Sequence, residues 1–134
     1  MSEAALALQA AMLACLRADE AVTAVVGDRI FDAAPRNAAF PYLAFGPARA
    51  SDWSTGTESG TEQLLTLHVW SKAKGRREVL AVMEAIRARL ADAALTLDDH
   101  HLVNLRLEFA EARYDDDLSV HHGLLRFRAV TEER

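Results

Sequence analysis

Cysteine, proline and aromatic residues are scarce in this chain, which has one Cys, three Pro and 7% aromatics in 134 residues. The lone cysteine, Cys15, excludes an intramolecular disulfide, and its alanine-rich helical surroundings predict a buried apolar side chain rather than an activated nucleophile. Because alanine supplies much of the apolar share, we expect a thin core that depends partly on neighbouring surfaces. The composition therefore favours self-association of a single domain spanning residues 1–134.

The chain also lacks long apolar runs and an excess of basic charge. No segment approaches the roughly 20 consecutive apolar residues of a membrane helix, and an acid, Glu3, stands where a secretory signal would be basic. The formal net charge is −5, with Lys and Arg scattered among acids, which opposes free binding to nucleic-acid phosphates. These absences predict a soluble protein made in the cytoplasm, with neither a membrane nor duplex DNA as a direct partner.

Three helices are predicted from capping residues and apolar spacing. Ser2 is a candidate N-cap for a helix that continues to about Arg17, and Asp19 is a candidate N-cap for a short helix that ends at Gly27. The clearest helix lies within residues 75–94, where apolar side chains recur at helical spacing at Val79, Met83, Ile86 and Leu90.

Alternation of apolar and polar residues predicts the strands. A short strand at Ile30 and Phe31 precedes a second from Tyr42 towards Ser51, and EQLLTLHVWS alternates most cleanly. Two further segments, joined by the acidic turn AEARYDDDLS, predict an antiparallel hairpin with core-facing positions at Val103, Leu105, Leu107, Phe109, Leu125, Phe127 and Ala129. The element order predicts an α+β fold, a mainly antiparallel sheet with helices packed on one face.

Two histidine pairs are the obvious candidates for a metal site, because imidazoles and carboxylates commonly bind zinc, iron or manganese. DDHHLV carries His100 and His101, and VHHG carries His121 and His122. Adjacent strand residues point to opposite faces, so neither pair readily shares one ion. His100 and His122 could still form a cross-strand site, since both lie at comparable distances from the turn. No further ligand pattern completes it, so we favour polar rim histidines and expect no metal, cofactor or catalytic residue.

The sheet face that the helices leave uncovered is predicted to carry large apolar residues among arginines. Trp70 belongs to this face, together with Arg106, Arg126 and Arg128. Tryptophan and arginine are enriched in protein interfaces, so we interpret these four residues as candidates for a subunit interface. The alternative is that Trp70 packs under a loop while the arginines pair with Glu108 and Glu132.

Four strings follow one another along nearly the whole chain. They are RIFDAAPRNAAFPYLAFG, DWST, LTLHVWSKAKGRREVLAVMEAI and HLVNLRLEFAEARYDDDLSVHHGLLRFRAVTE. Together and in this order, they resemble the tail-completion, or tail-terminator, family of siphovirus-like phages, prophages and gene transfer agents.

The resemblance implies a structural subunit without enzymatic activity that assembles as a ring, usually hexameric, on the last ring of the major tail-tube protein. Such a ring stops tube growth and joins the tail to the head-completion or connector protein, while DNA only passes through its lumen. The resemblance also implies synthesis in the bacterial cytoplasm and incorporation into the virion or gene transfer agent particle at the head-tail joint.

Predicted loops supply candidate contacts to the tube or the connector. These rest on sequence chemistry alone, because the family provides no matching functional residues, and they are Arg36, Asn37, Trp53, Asp115, Asp116 and Asp117. Two rival classes stay open from the sequence: a small metal-binding enzyme that uses the histidines, and a dimeric cellular adaptor protein.

Overall fold

The computed structural model describes residues 2–133, which form three helices and one five-stranded sheet. The helices are α1 (Ser2–Arg17), α2 (Glu20–Val26) and α3 (Arg77–Leu90). The strands are β1 (Ile30–Phe31), β2 (Tyr42–Asp52), β3 (Gly60–Ser71), β4 (His100–Asp115) and β5 (Val120–Glu133). The sheet order is β1-β2-β3-β5-β4, with β1 parallel to β2 and the other described pairs antiparallel. The predicted α+β class is confirmed.

Helix ends follow the local signals in the sequence. The Asp19 carboxylate accepts a hydrogen bond from the Val22 backbone N–H at 3.1 Å, which caps α2. Gly27 has a φ of 61° just after that helix, a conformation that glycine adopts without a steric cost. The third helix is shorter than the predicted segment because Ala91 is already extended.

The core lies between the helices and one face of the sheet, which we call the inner face. Alternate residues of β3 and β5 point into it, and Phe127 and Leu67 are fully buried there. Met12 of α1 and Ile86 of α3 cover these side chains from the helix layer. Within residues 2–133, no helix combines the length and the apolar character needed to cross a membrane.

Two β-bulges in β4 overturn part of the predicted inner face. Register shifts fall between Leu102 and Asn104 and between Leu107 and Phe109. Each extra residue reverses the alternation of side chains beyond it, so a simple two-residue period fails across a bulge. Val103 and Phe109, predicted to face the core, are 46% and 42% exposed instead. Leu105 lies in the core and Leu107 packs against it, as predicted.

The hairpin between β4 and β5 is longer than the sequence pattern predicts. Most of the segment AEARYDDDLS is strand, because β4 continues to Asp115, which pairs with Val120 of β5. Only residues 116–119 form the turn, and the carboxylate of Asp115 accepts a hydrogen bond from the Leu118 backbone N–H at 3.1 Å. The acidic run therefore sits at the tip of a long two-stranded ribbon.

Candidate functional site

The sheet face opposite the helices, which we call the outer face, carries imidazole and guanidinium side chains that a core would not contain. On β3 and β5 it consists of Leu64, Thr66, His68, Trp70, His122, Leu124, Arg126 and Arg128. The register sets Thr66 beside Arg126, and Trp70 beside His122. These side chains are mostly half-buried without any helix above them, because they cover one another.

An aromatic stack occupies one end of the outer face. The rings of Trp70 and His122 lie 3.9 Å apart and within 2° of parallel. The His68 ring lies beside this stack, 4.9 Å from His122 and 6.3 Å from Trp70, and its Nδ1 lies 2.7 Å from His122 Nε2. Sequence reasoning missed this cluster, because alternation puts His68 and Trp70 on one face but does not reveal that β3 pairs with β5.

The two stacked histidines are held in their neutral forms. Burial lowers the pKa of His68. Burial, followed by electrostatic interaction with the nearby His68 and Arg113, lowers the pKa of His122 to about 4 from its usual 6.5. At neutral pH one imidazole therefore donates an N–H hydrogen bond to the other, and the pair adds shape and rigidity rather than charge to this face.

A groove runs across the outer face beside the stack, and we call it the outer-face groove. It has a volume of about 460 Å³ and is lined by Pro47, Arg49, Leu64, Thr66, His68, Leu124 and Arg126. Its floor is apolar, and two guanidinium groups border it. The Arg126 guanidinium lies 5.2 Å from the centre of the Phe109 ring, a side chain that the second bulge brings to this face.

The four predicted interface residues share the outer face. Arg106 of β4 is the register partner of Arg128 of β5. Arg126 lies two residues before Arg128 on β5, and Trp70 lies on the neighbouring strand β3. The alternative interpretation is met in part: Trp70 stacks on His122, and Arg128 does pair with a glutamate at 2.7 Å, but with Glu62 rather than Glu108 or Glu132. The interface role itself stays a prediction.

Among the predicted tube and connector contacts, the acidic turn and Trp53 lie at opposite ends of the sheet. Arg36 and Asn37 lie in the loop before Tyr42, and the strand register puts Tyr42 level with Trp70, His122 and Arg113, close to the acidic hairpin turn. At the other end, Trp53 follows β2 beside Gly60, is 54% exposed and lies 5.6 Å from the Arg128 guanidinium. Sequence chemistry alone could not assign these residues to separate ends.

The hairpin register contradicts a cross-strand site made of His100 and His122. His100 pairs with Glu133, whereas His122 pairs with Arg113, so the two imidazoles lie at opposite ends of the ribbon. The prediction of comparable distances from the turn was wrong, because His100 precedes the predicted turn segment by ten residues whereas His122 follows it by only three. In the part of the chain that the structure describes, no group of three or more His, Cys, Asp or Glu is arranged to hold a metal ion.

These features define a small α+β protein whose helix-covered face forms the core and whose outer face carries half-buried aromatic, leucine and arginine side chains. The sequence matches the family described as tail completion protein gp17 over residues 10–132. A chain in the solved structure of the virion of a native gene transfer agent (GTA) particle superposes with a TM-score of 0.88 and 33% sequence identity, over 96% of each chain. Among curated protein sequences, none matches this chain.

The chain therefore belongs to the tail completion protein family, as its sequence resemblance implied. Family membership and the structural likeness support a structural role in the tail of a phage or gene transfer agent particle, in association with other tail or head proteins. Both comparisons point away from an enzyme.

Proposed function

We propose that this protein forms a closed ring, hexameric in the particle, that caps the tail tube and joins the tail to the head connector. The observation that carries the proposal is the likeness over almost the whole of both chains to a component of a gene transfer agent virion. Because the match covers 96% of each chain, the likeness extends beyond the core elements that the fold class alone would share. The role requires no chemical step and no cofactor.

Subunit contacts in this ring are assigned to the outer face, through Trp70, Arg106, Arg126 and Arg128. A half-buried tryptophan in a rigid stack offers a large contact area with little loss of side-chain freedom on binding. The arginines surround it with donors that suit carboxylates and carbonyl groups of a neighbour. Because a closing ring joins two different patches, this face needs a separate partner surface on the next subunit.

Axial contacts are assigned to the two ends of the sheet. β3 spans residues 60–71, so its ends lie roughly 36 Å apart at about 3.3 Å per residue. We assign one of these ends to the tail-tube protein and the other to the head-completion protein. Trp53 serves one partner, and the opposite end, with Arg36, Asn37 and the acidic turn of Asp115, Asp116 and Asp117, serves the other. DNA passes through the lumen without being a ligand.

Deletion of the gene in the strain that produces the particle tests this function. We expect electron micrographs to show free heads and tails of uncontrolled length, with normal particles restored by the wild-type gene. A matched complementation with Trp70→Phe, which keeps an aromatic ring in the stack, should also restore particles. Particles with tails of normal length attached to heads in the deletion strain would contradict the proposal.

A further inference from the structure

The tip of the β4–β5 hairpin, residues 114–119, presents an apolar side chain among carboxylates. Leu118 is 62% exposed at the turn, and Asp116 and Asp117 precede it without a hydrogen bond or ion pair within residues 2–133. The turn is preformed, because Asp115 accepts the Leu118 N–H and Ser119 adopts a positive φ of 54°. A rigid, protruding tip that exposes a leucine suits insertion into a neighbour.

The outer-face groove offers the complementary chemistry. Arg49 and Arg126 border it, and neither guanidinium forms a hydrogen bond or an ion pair with any residue from 2 to 133. Leu64, level with Arg49, and Leu124, two residues from Arg126 on β5, supply apolar lining. The nearby Arg128 differs, because Glu62 already neutralises it. The groove therefore combines apolar lining with two guanidinium groups that no carboxylate of the described residues neutralises. The protein as a whole is acidic, so these two groups are a local site for a carboxylate of another molecule.

We infer that the hairpin tip of one copy docks in the outer-face groove of the next copy. Asp116 and Asp117 then pair with Arg49 and Arg126, while Leu118 covers the apolar floor. The inference rests on the ring of the proposed function and identifies its two unlike patches, the arrangement that a head-to-tail ring requires.

The tip cannot fill the groove of its own chain. The groove centres on Thr66 and Arg126, whereas the tip lies beyond Val120 on the same strand, roughly 20 Å away at about 3.3 Å per residue. Strands β4 and β5 are paired along this whole length, so the ribbon cannot fold back without losing its backbone hydrogen bonds. Only a second molecule can bring a tip to this groove.

Charge reversal with rescue tests the contact. The groove variant carries Arg49→Glu and Arg126→Glu, and the tip variant carries Asp116→Arg and Asp117→Arg, while Asp115 is retained because it holds the turn. Each variant alone should assemble on purified tail tubes at least about tenfold more weakly, since like charges then face each other. All four changes in one chain should restore rings, counted by native mass spectrometry and electron microscopy.

Mixing the two variants sharpens the test. The acidic tip of the groove variant can then dock in the unaltered groove of the tip variant, and the basic tip of the tip variant can dock in the reversed groove of the groove variant. Rings in which the two variants alternate should therefore form, with the size of the wild-type ring. Two matched reversals near α2, Glu20→Arg and Asp28→Arg, change exposed acids away from both patches and should leave assembly unchanged. Melting curves that match the wild type establish that each variant is folded.

Four results would overturn the inference. The first is that either variant alone assembles as well as the wild type, and the second is that the chain with all four changes does not form rings. The third is that the mixture of the two variants stops at two-fold dimers. The fourth is that the groove variant no longer binds tubes and that reversing the tip does not restore this binding. The last result would assign the groove to the tail-tube protein. The first two leave the proposed function standing if the wild type still forms rings, whereas a wild type that leaves tubes uncapped overturns both.

Discussion

The two faces of the sheet are made from the same strands but follow different rules. On β5, Leu125 and Phe127 are fully buried under the helices, while their neighbours Leu124 and Arg126 line a groove that no part of the described chain covers. The inner face is apolar and continuous, as a core must be. The outer face mixes leucine, arginine and stacked aromatics, which is the composition of a contact surface. One set of residues of this strand therefore builds the core, and the proposed function assigns assembly to the alternate set.

The sharpest way to separate the two faces is a pair of identical substitutions in adjacent residues. Leu125→Ala removes a buried side chain and should cost about 2–5 kcal/mol in the free energy of unfolding. Leu124→Ala removes a half-buried outer-face side chain and should cost less than about 1.5 kcal/mol. Chemical denaturation measures both values.

Assembly should show the reverse order for these two variants. At a temperature where both are folded, Leu124→Ala should reduce ring formation on tail tubes, whereas Leu125→Ala should retain it. Equal losses of stability for the two variants, or a Leu124→Ala chain that assembles like the wild type, would contradict the division between the faces.

A smaller effect is expected from filling the inner face at Gly123. A Cβ atom there would lie 2.6 Å from Met83 Sδ and 3.0 Å from Val79 Cγ2, so α3 packs directly on this glycine. Gly123→Ala should therefore destabilise the fold by about 1–3 kcal/mol through overpacking. Gly56→Ala, in an open loop with no atom near the new Cβ, is the control and should leave the melting temperature almost unchanged. Equal melting temperatures for the two variants would contradict this prediction and would mean that α3 shifts to accept the new Cβ atom at little cost.

Trp70→Ala should affect assembly more than folding. The side chain is half-buried on the outer face, and its loss removes one stacking contact with His122, worth about 1 kcal/mol. Attachment of tails to heads should fall strongly in complementation assays, because the largest contact residue of the proposed interface is gone. Normal attachment with a folded Trp70→Ala chain would remove Trp70 from the interface.

The smallest expected effect is a pH dependence that belongs to the outer face. The pKa of His122 is lowered to about 4, so between about pH 4 and 6.5 the unfolded chain binds more protons than the folded chain. The free energy of unfolding therefore falls as the pH drops through this window and is fully restored above it. His122→Gln keeps a polar atom near the Nε2 position but does not titrate, so its stability should fall less over the same window.

Melting temperatures of both chains between pH 4 and pH 8 measure this difference. His101→Gln, at an exposed position in β4, serves as the matched control and should follow the wild-type curve. Parallel curves for the wild type and His122→Gln would show that the stacked pair does not titrate with folding.

The inner face was predictable where alternation is unbroken, and unpredictable where the backbone adds a residue. Leu65, Leu67 and Val69 alternate through β3 without interruption, and all three are buried as the pattern predicts. Phe109 has the same apolar character but follows a bulge, and local sequence does not reveal where a bulge reverses the alternation.

The outer face was predictable as a surface but not as a cluster. Alternation placed Trp70 and the arginines on one face, yet the contact between His68 and His122 joins residues 54 positions apart. Such contacts depend on strand order, and the sequence did not distinguish a sheet in which β5 lies between β3 and β4 from other orders. The wrong placement of His100 beside His122 has a different origin, because the β4–β5 hairpin was predicted correctly and only the distances of the two residues from its turn were misjudged.

The central claim is that this chain closes into a ring on the tail tube, and native mass spectrometry of the untagged protein tests it most directly. The protein is measured alone and then with purified tail-tube protein, so that one experiment reports subunit number and bound metal. We predict a metal-free hexamer, or a monomer that becomes a ring only on tubes. A stable metal-loaded monomer or dimer that leaves the tubes uncapped would contradict the account.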